Sequence, residues 1–137
     1  MKKIFGIGTD IVDISRIKKI LKQNKRFKER VFSRKEIKYC NSKKNKIASY
    51  SKRFAAKEAF AKALGLGISK GISLNEISVN NNKYGAPFIE LLGNTKKITK
   101  NLIKNKNKIY LSLSDEKKYA LAMVVISCQW KKNYLIQ

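Results

Sequence analysis

Asp10, Glu58 and Lys62 are the residues whose types and spacing could do chemistry. Asp10 sits in the apolar run IFGIGTDIV (4–12), and the other two in RFAAKEAFAKALG (53–65). A carboxylate in an apolar strand or helix is costly unless a cation faces it. That cation could be a lysine or a metal. Asp10 and Glu58 together could hold Mg²⁺, which takes one or two carboxylates and completes its shell with water and substrate phosphates. Arg53, Lys57 and Lys62 share the helix with Glu58 and would suit a phosphorylated substrate. A plainer alternative stays open. Glu58 and Lys62, at i and i+4, can form a helix-surface ion pair worth roughly a few tenths of a kcal/mol, and Asp10 can be a strand-end turn residue. The chain has no histidine, so histidine triads, bases and metal ligands are excluded. Any metal would be held by oxygen.

The 137 residues suit one domain, with enough chain to bury a core without disulfides or a structural metal. The formal net charge is +23, with nine acidic residues against 32 Lys and Arg. Three readings compete. A nucleic-acid-binding domain would be basic, and RNA is the alternative partner. An acidic protein partner would meet a basic face faster. Composition bias explains most, because the excess is 27 Lys against five Arg, scattered, and accompanied by 12 Asn and 17 Ile. Cys40 and Cys128 lack CxxC spacing and read as free thiols of a reducing cytosol. The start MKKIFGIGTD resembles a signal peptide until Asp10 and Asp13 interrupt it. The longest later apolar run, Tyr119 to Ile126, is far below the ~20 residues of a spanning helix. A cytoplasmic protein, off the membrane, is expected.

The elements that must position these residues follow from pattern. IFGIGTDIV is β-rich without helical period and reads as a buried strand. Asp13 or Ser15 can cap a helix with Ile14, Ile17, Ile20 and Leu21 on one face and Arg16, Lys18, Lys19 and Lys22 on the other. SRKE (33–36) is a capping box that opens a second, short helix. Lys and Asn fill a solvated loop at 41–46. A third helix runs from about Lys46 to Leu64, stopped by Gly65 and Gly67. It is apolar nearly all round, with Ala56, Ala59 and Ala63 on one face, which is how a buried helix reads. EISVN (76–80) and PFIEL (87–91) flank a turn and make a hairpin, with Pro87 at an edge or strand start. A short basic helix over 95–104 and a second hairpin, IYLSLS (109–114) with YALAMVVIS (119–127), complete the order. The expected class is α+β: a small antiparallel sheet packed with helices in a single domain at 1–127, with 128–137 as a tail of unassigned role. GIG at 6–8 is not a phosphate loop, because neither GK[ST] nor a full GxGxxG follows.

Four stretches in order, GIGTDIV (6–12), RFAAKEAFAKALG (53–65), YGAPFIEL (84–91) and SLSDEKKYALAMVV (112–125), resemble the holo-acyl-carrier-protein synthases. These are the small bacterial type of 4′-phosphopantetheinyl transferase. FSRKEI (32–37) fits too. The resemblance implies transfer of the phosphopantetheine arm of coenzyme A to a serine of acyl carrier protein, in support of fatty acid biosynthesis. Adenosine 3′,5′-bisphosphate leaves. It makes Asp10 and Glu58 the Mg²⁺ ligands and, with Lys62, the catalytic set. Lys62 would sit on the coenzyme A phosphates, with Arg53 and Lys57 as weaker phosphate candidates. Gly85 to Pro87 would lie at the adenine end, and Ser114 near a phosphate. Many relatives carry His where this chain has Asp115, others Asp, so Asp115 is left out of that set and read as a turn residue. The family works as homotrimers with the site at subunit interfaces. Its acidic carrier partner is expected on the first helix, at Arg16, Lys19, Lys22 and Arg26. The base for the carrier serine is not identified, beyond a carboxylate, a metal-bound hydroxide or water.

Overall fold

The structure, a computed structural model, describes residues 1–68 and 70–129. Chain order is β1 (Lys2–Asp13), α1 (Ile14–Gln23), α2 (Phe27–Val31), α3 (Arg34–Asn41), α4 (Lys46–Leu64), a 3₁₀ turn (Leu74–Glu76), β2 (Ile77–Asn81), β3 (Pro87–Leu91), α5 (Gly93–Leu102), β4 (Asn107–Asp115) and β5 (Tyr119–Gln129). The strands form two antiparallel sheets, one in the order β1-β5-β4 and one of β2 and β3. The α+β class and the antiparallel pairing are as expected from sequence.

Helix α4 organises the molecule. Fourteen of its 19 residues are buried, so it needs packing partners on all sides. The three-stranded sheet takes one side, and α3 with β2 takes another. Contact with β1 is unusually close. A methyl group at Gly6 would lie 1.8 Å from the Ala63 carbonyl oxygen, and one at Gly8 would lie 1.8 Å from that of Ala59. Two glycines on the strand and two alanines on the helix therefore let the backbones touch. That is the role of the GIG segment, and it sets the distance from Asp10 to α4.

Four differences from the sequence reading have simple causes. Strand β1 is not buried on both faces: Ile7 and Ile11 are 55 and 62 % exposed on the face away from α4. Its inner face holds Gly6, Gly8, Asp10 and Val12, so large apolar residues point outward and the usual alternation is hidden. Helix α2, only five residues long, is too short to show a period. Its Phe27 docks on Phe32 and Phe54, with ring centroids 6.2 and 6.1 Å apart. The strands are also shifted or longer: β2 begins at Ile77, and β4 spans 107–115. Finally, Cys128 and Gln129 belong to β5, pairing with Lys3 and Lys2, so the boundary at 127 cuts a strand. The rest of the tail, 130–137, lies outside the described residues.

The caps match the pattern. Asp13 Oδ1 accepts from the Ser15 amide at 2.9 Å. Ser33 and Glu36 make the reciprocal capping box.

Candidate active site

Asp10 lies on the inner face of β1, two residues beyond Gly8, and so points toward the part of α4 that carries Glu58 and Lys62. Lys62 Nζ donates to Asp10 Oδ1 at 3.1 Å and to the Thr9 carbonyl at 2.9 Å. The expected i, i+4 pair between Glu58 and Lys62 is therefore not the one formed. Among the described residues, Glu58 makes no hydrogen bond or ion pair. Its carboxyl pKa is raised above the ordinary glutamate value, first by burial and then by the negative charge of Asp10. Lys62 and Arg16 pull it the other way. A half-buried carboxylate repelled by a second one and lacking a partner fits a divalent cation shared by the two. No cluster of three or more His, Cys, Asp or Glu that could hold a metal occurs among the described residues. Two carboxylates with open positions suit Mg²⁺ bound largely by water and phosphate oxygens.

Arg53 stands five residues before Glu58, about 7.5 Å along the helix and roughly 140° around it. It therefore serves a different cleft. This second cleft, of about 560 Å³, is lined by Arg53, Gly85 and Pro87, by Lys43, Lys44 and Lys52, and by Asp115. Arg53 is 2 % exposed. Its guanidinium stacks on the Tyr39 ring at 4.1 Å and donates to Ser49 Oγ at 3.1 Å and Asn81 Oδ1 at 2.6 Å. Its Nε is buried without a partner. Asp115, 3.1 Å from Lys52, is the counter-ion of this basic cleft as well as a strand-end residue.

Two of the sequence candidates fall elsewhere. Lys57 is fully buried, and its Nζ donates to Glu36 Oε1 and to the carbonyls of Leu74 and Ile77. Burial lowers its pKa to about 8 against the opposing pull of Glu36. An ammonium with three acceptors and no exposure cannot reach a substrate phosphate, so Lys57 leaves the phosphate set. It joins α4 to the 3₁₀ turn and β2. Ser114 is exposed on the outer face of β4, next to Ser112, which does line the basic cleft, but Ser114 itself does not. Arg16, Lys19 and Lys22 are exposed on α1, and Arg26 is exposed just beyond it.

Sequence reasoning missed Glu36, Asn81 and the cleft lysines. Glu36 is fully buried, and its Oε2 also accepts from the Val79 amide at 3.1 Å. Its capping-box position was readable, its second partner was not. Lys43 and Lys44 lie in the stretch that reads as a solvated loop, and only the approach of the β2–β3 hairpin makes it a cleft wall. A further hollow of about 610 Å³, edged by Ser33, Arg34, Lys35, Ser78 and Glu90, contains none of the candidate residues. Ser33 and Ser78 share a hydrogen bond of 2.7 Å there, and Lys35 pairs with Glu90 at 3.7 Å.

Comparison with known proteins gives the family and the fold. Residues 6–124 match the model of the 4′-phosphopantetheinyl transferase superfamily. The holo-[acyl-carrier-protein] synthase of Pelagibacter ubique is 47% identical over 90% of this chain and 97% of its own. A crystal structure of holo-ACP-synthase from Plasmodium yoelii superposes with a TM-score of 0.81 at 36% identity, covering 94% of this chain and 98% of that one. The Helicobacter pylori holo-[acyl-carrier-protein] synthase in complex with coenzyme A gives 0.75 at 36% identity, covering 88% and 98%. With likeness along nearly the whole chain, this protein belongs to the 4′-phosphopantetheinyl transferase superfamily, among its holo-[acyl-carrier-protein] synthases.

Proposed function

We propose that this enzyme transfers the 4′-phosphopantetheine arm of coenzyme A to a serine hydroxyl of an apo acyl carrier protein with Mg²⁺ as the required metal. The carrier would thereby be made ready for fatty acid synthesis. The serine oxygen forms a bond to the phosphorus next to pantetheine. The bond to the bridging pyrophosphate oxygen breaks, and adenosine 3′,5′-bisphosphate leaves. Such a step is governed by positioning and charge neutralisation. Asp10 and Glu58 would hold the metal, whose contribution when bound is to offset charge on the pyrophosphate. Lys62, already at the rim of that site, would take the phosphate charge on its other side. Lys43, Lys44 and Lys52 of the basic cleft, with Arg53 in its wall, would receive the nucleotide phosphates, with Gly85 and Pro87 against the adenine. The single observation that carries the reading is Glu58, half-buried, unpartnered and facing Asp10.

Arg53 and Glu58 open on different sides of α4, so one chain presents two half-sites. The outer face of the β1-β5-β4 sheet explains how they could be completed. Ile7, Ile11, Leu121, Met123, Tyr110 and Tyr119 are all 44 to 62 % exposed there, a large apolar patch of the kind that marks an interface. We read it as the contact of a homotrimer that brings one copy's carboxylates to another's basic cleft. Arg16, Lys19, Lys22 and Arg26 would then dock the acidic carrier, acting mostly on its association rate. No helix among the described residues is long and apolar enough to cross a membrane, which suits a cytoplasmic site of action. The RNA-binding alternative gains nothing from the fold, since Phe54 and Phe60 are core residues. The test is the intact mass of apo carrier protein after incubation with enzyme, coenzyme A and Mg²⁺, with an EDTA control. A metal-dependent gain of one phosphopantetheine arm is expected. An unchanged mass with a competent carrier and folded enzyme would leave only the shared fold.

A further inference from the structure

Arg53 enters the basic cleft through a tie to one asparagine. Its Nη2 donates to Asn81 Oδ1 at 2.6 Å, and Asn81 Nδ2 donates to the Gly85 carbonyl at 2.9 Å. Both ends of the Asn81 amide are thus used, one on helix α4 and one on the β2–β3 turn. Asn81 is also the last residue of β2, opposite Pro87, and Pro87 has no N–H to offer the ladder there. The turn has its own internal brace: Asn82 Oδ1 accepts from the amides of Tyr84 and Ala86 at 2.9 and 3.0 Å. That brace does not reach the helix. At its other end the hairpin is held to α4 by Lys57 on the Ile77 carbonyl. At the tip, among the described residues, the hydrogen bond from α4 is the one through Asn81.

We propose that Asn81 is a positioning residue for the nucleotide half of coenzyme A. It locks the Arg53 guanidinium and the Gly85–Pro87 turn in fixed relation, so that the cleft is formed before the ligand arrives. This rests on the reading above that the basic cleft takes the nucleotide. Among the described residues, the Arg53 side chain is otherwise held by Tyr39 stacking and by Ser49. Loss of Asn81 leaves the guanidinium short of its shortest hydrogen bond and frees the turn. Binding must then meet the cost of ordering both, and pre-organisation of this kind acts on affinity. Asn81 is half-buried at the surface, outside the apolar core, so its effect on affinity is separable from folding.

Asn81→Ala and Asn81→Ser in the full chain test this, the serine variant serving if the alanine variant does not fold. Steady-state rates give KM for coenzyme A and for carrier protein, and calorimetry gives Kd for adenosine 3′,5′-bisphosphate. A rise of roughly tenfold or more is expected in KM for coenzyme A and in Kd for the bisphosphate. The carrier KM, kcat at saturation and Tm should stay near wild type, and amide exchange at Gly85 and Ala86 should quicken. Folded variants that bind the bisphosphate as wild type does would overturn the proposal. So would equal losses for both substrates with a lowered Tm, the mark of a merely structural residue. Failure of the wild-type chain to bind the bisphosphate would instead overturn the assignment of the cleft, and the proposal with it.

Discussion

Lys62 reaches across from α4 to Asp10 on β1, 3.1 Å away, and not back one turn to Glu58. One contact therefore decides the electrostatics of the site: the chain's own cation is spent on one carboxylate, and the other is left bare. A divalent cation bound between the two carboxylates would share Asp10 with Lys62. Lys62→Met should lower the Mg²⁺ concentration needed for half-maximal rate, because Asp10 is released. It should also lower kcat at saturating metal by ~10²-fold, the usual scale for losing one preorganised charge at a reacting group. Initial rates over a Mg²⁺ series read both, and an unshifted metal dependence would separate Lys62 from the metal site.

Glu58 gives a pH signature with opposite signs for binding and stability. Its pKa in the fold is raised, so the proton persists to higher pH than in the unfolded chain. Metal must displace that proton at the acid end, and apparent Mg²⁺ affinity should rise with pH until Glu58 is ionised. Stability runs the other way: the contribution of this group falls as pH rises from the unfolded pKa through the folded one. Glu58→Gln should therefore be at least as stable as wild type at pH 7, inactive, and no longer raised in Tm by Mg²⁺. Thermal melts with and without Mg²⁺ are sufficient. A metal-induced rise that survives the substitution would remove Glu58 from the ligand set.

The contact of β1 with α4 should tolerate no methyl group. Gly8→Ala places its Cβ against the Ala59 carbonyl, and backbone cannot give way as a side chain can. A loss of roughly 3 kcal/mol is expected from overpacking, with weakened Mg²⁺ dependence because Asp10 moves away from Glu58. Urea denaturation together with a metal titration checks both, and a stable, fully active variant would show that this contact does not set the site.

Lys57 and Glu36 form a fully buried pair. Lys57→Met alone strands a carboxylate in the core and should cost about 3–5 kcal/mol. Adding Glu36→Gln should recover much of the loss, since an apolar and a neutral group no longer leave a buried charge. A double-mutant cycle by denaturant melts measures the coupling, and strictly additive losses would argue against a stability role for the ion pair.

The outer sheet face predicts assembly. Leu121→Asp with Met123→Asp should leave the fold intact, because neither side chain is in the core. Light scattering should show a trimer for the parent chain and a monomer for the variant, with transfer lost. A fully active monomer would show that one chain completes the site.

Much of this was legible in the residues. The all-round apolar pattern of 46–64 requires a buried helix whatever it packs on. SRKE announces a helix start by local chemistry alone. Asp10 and Glu58 stand out because charge in an apolar element needs a reason. The exposed face of β1 escaped notice because glycines occupy the inward positions and isoleucines the outward ones, which inverts the alternation that signals burial. Lys57 is not told from Arg53 and Lys62 by residue type, because only its tertiary partners, Glu36 and the carbonyls of Leu74 and Ile77, reveal a buried ammonium.

The sequence by itself determined most of the elements, the family and the shortlist of charged residues, since these follow from local periodicity, capping and motif order. Only the tertiary structure decided which charge meets which. Lys62 pairs with Asp10, Lys57 with Glu36 and Lys52 with Asp115, over separations of 52, 21 and 63 residues. The reason is physical: Coulomb and hydrogen-bond partners are chosen by distance in space. That distance is set here by two glycines that bring β1 against α4, and by one asparagine that holds a hairpin against an arginine.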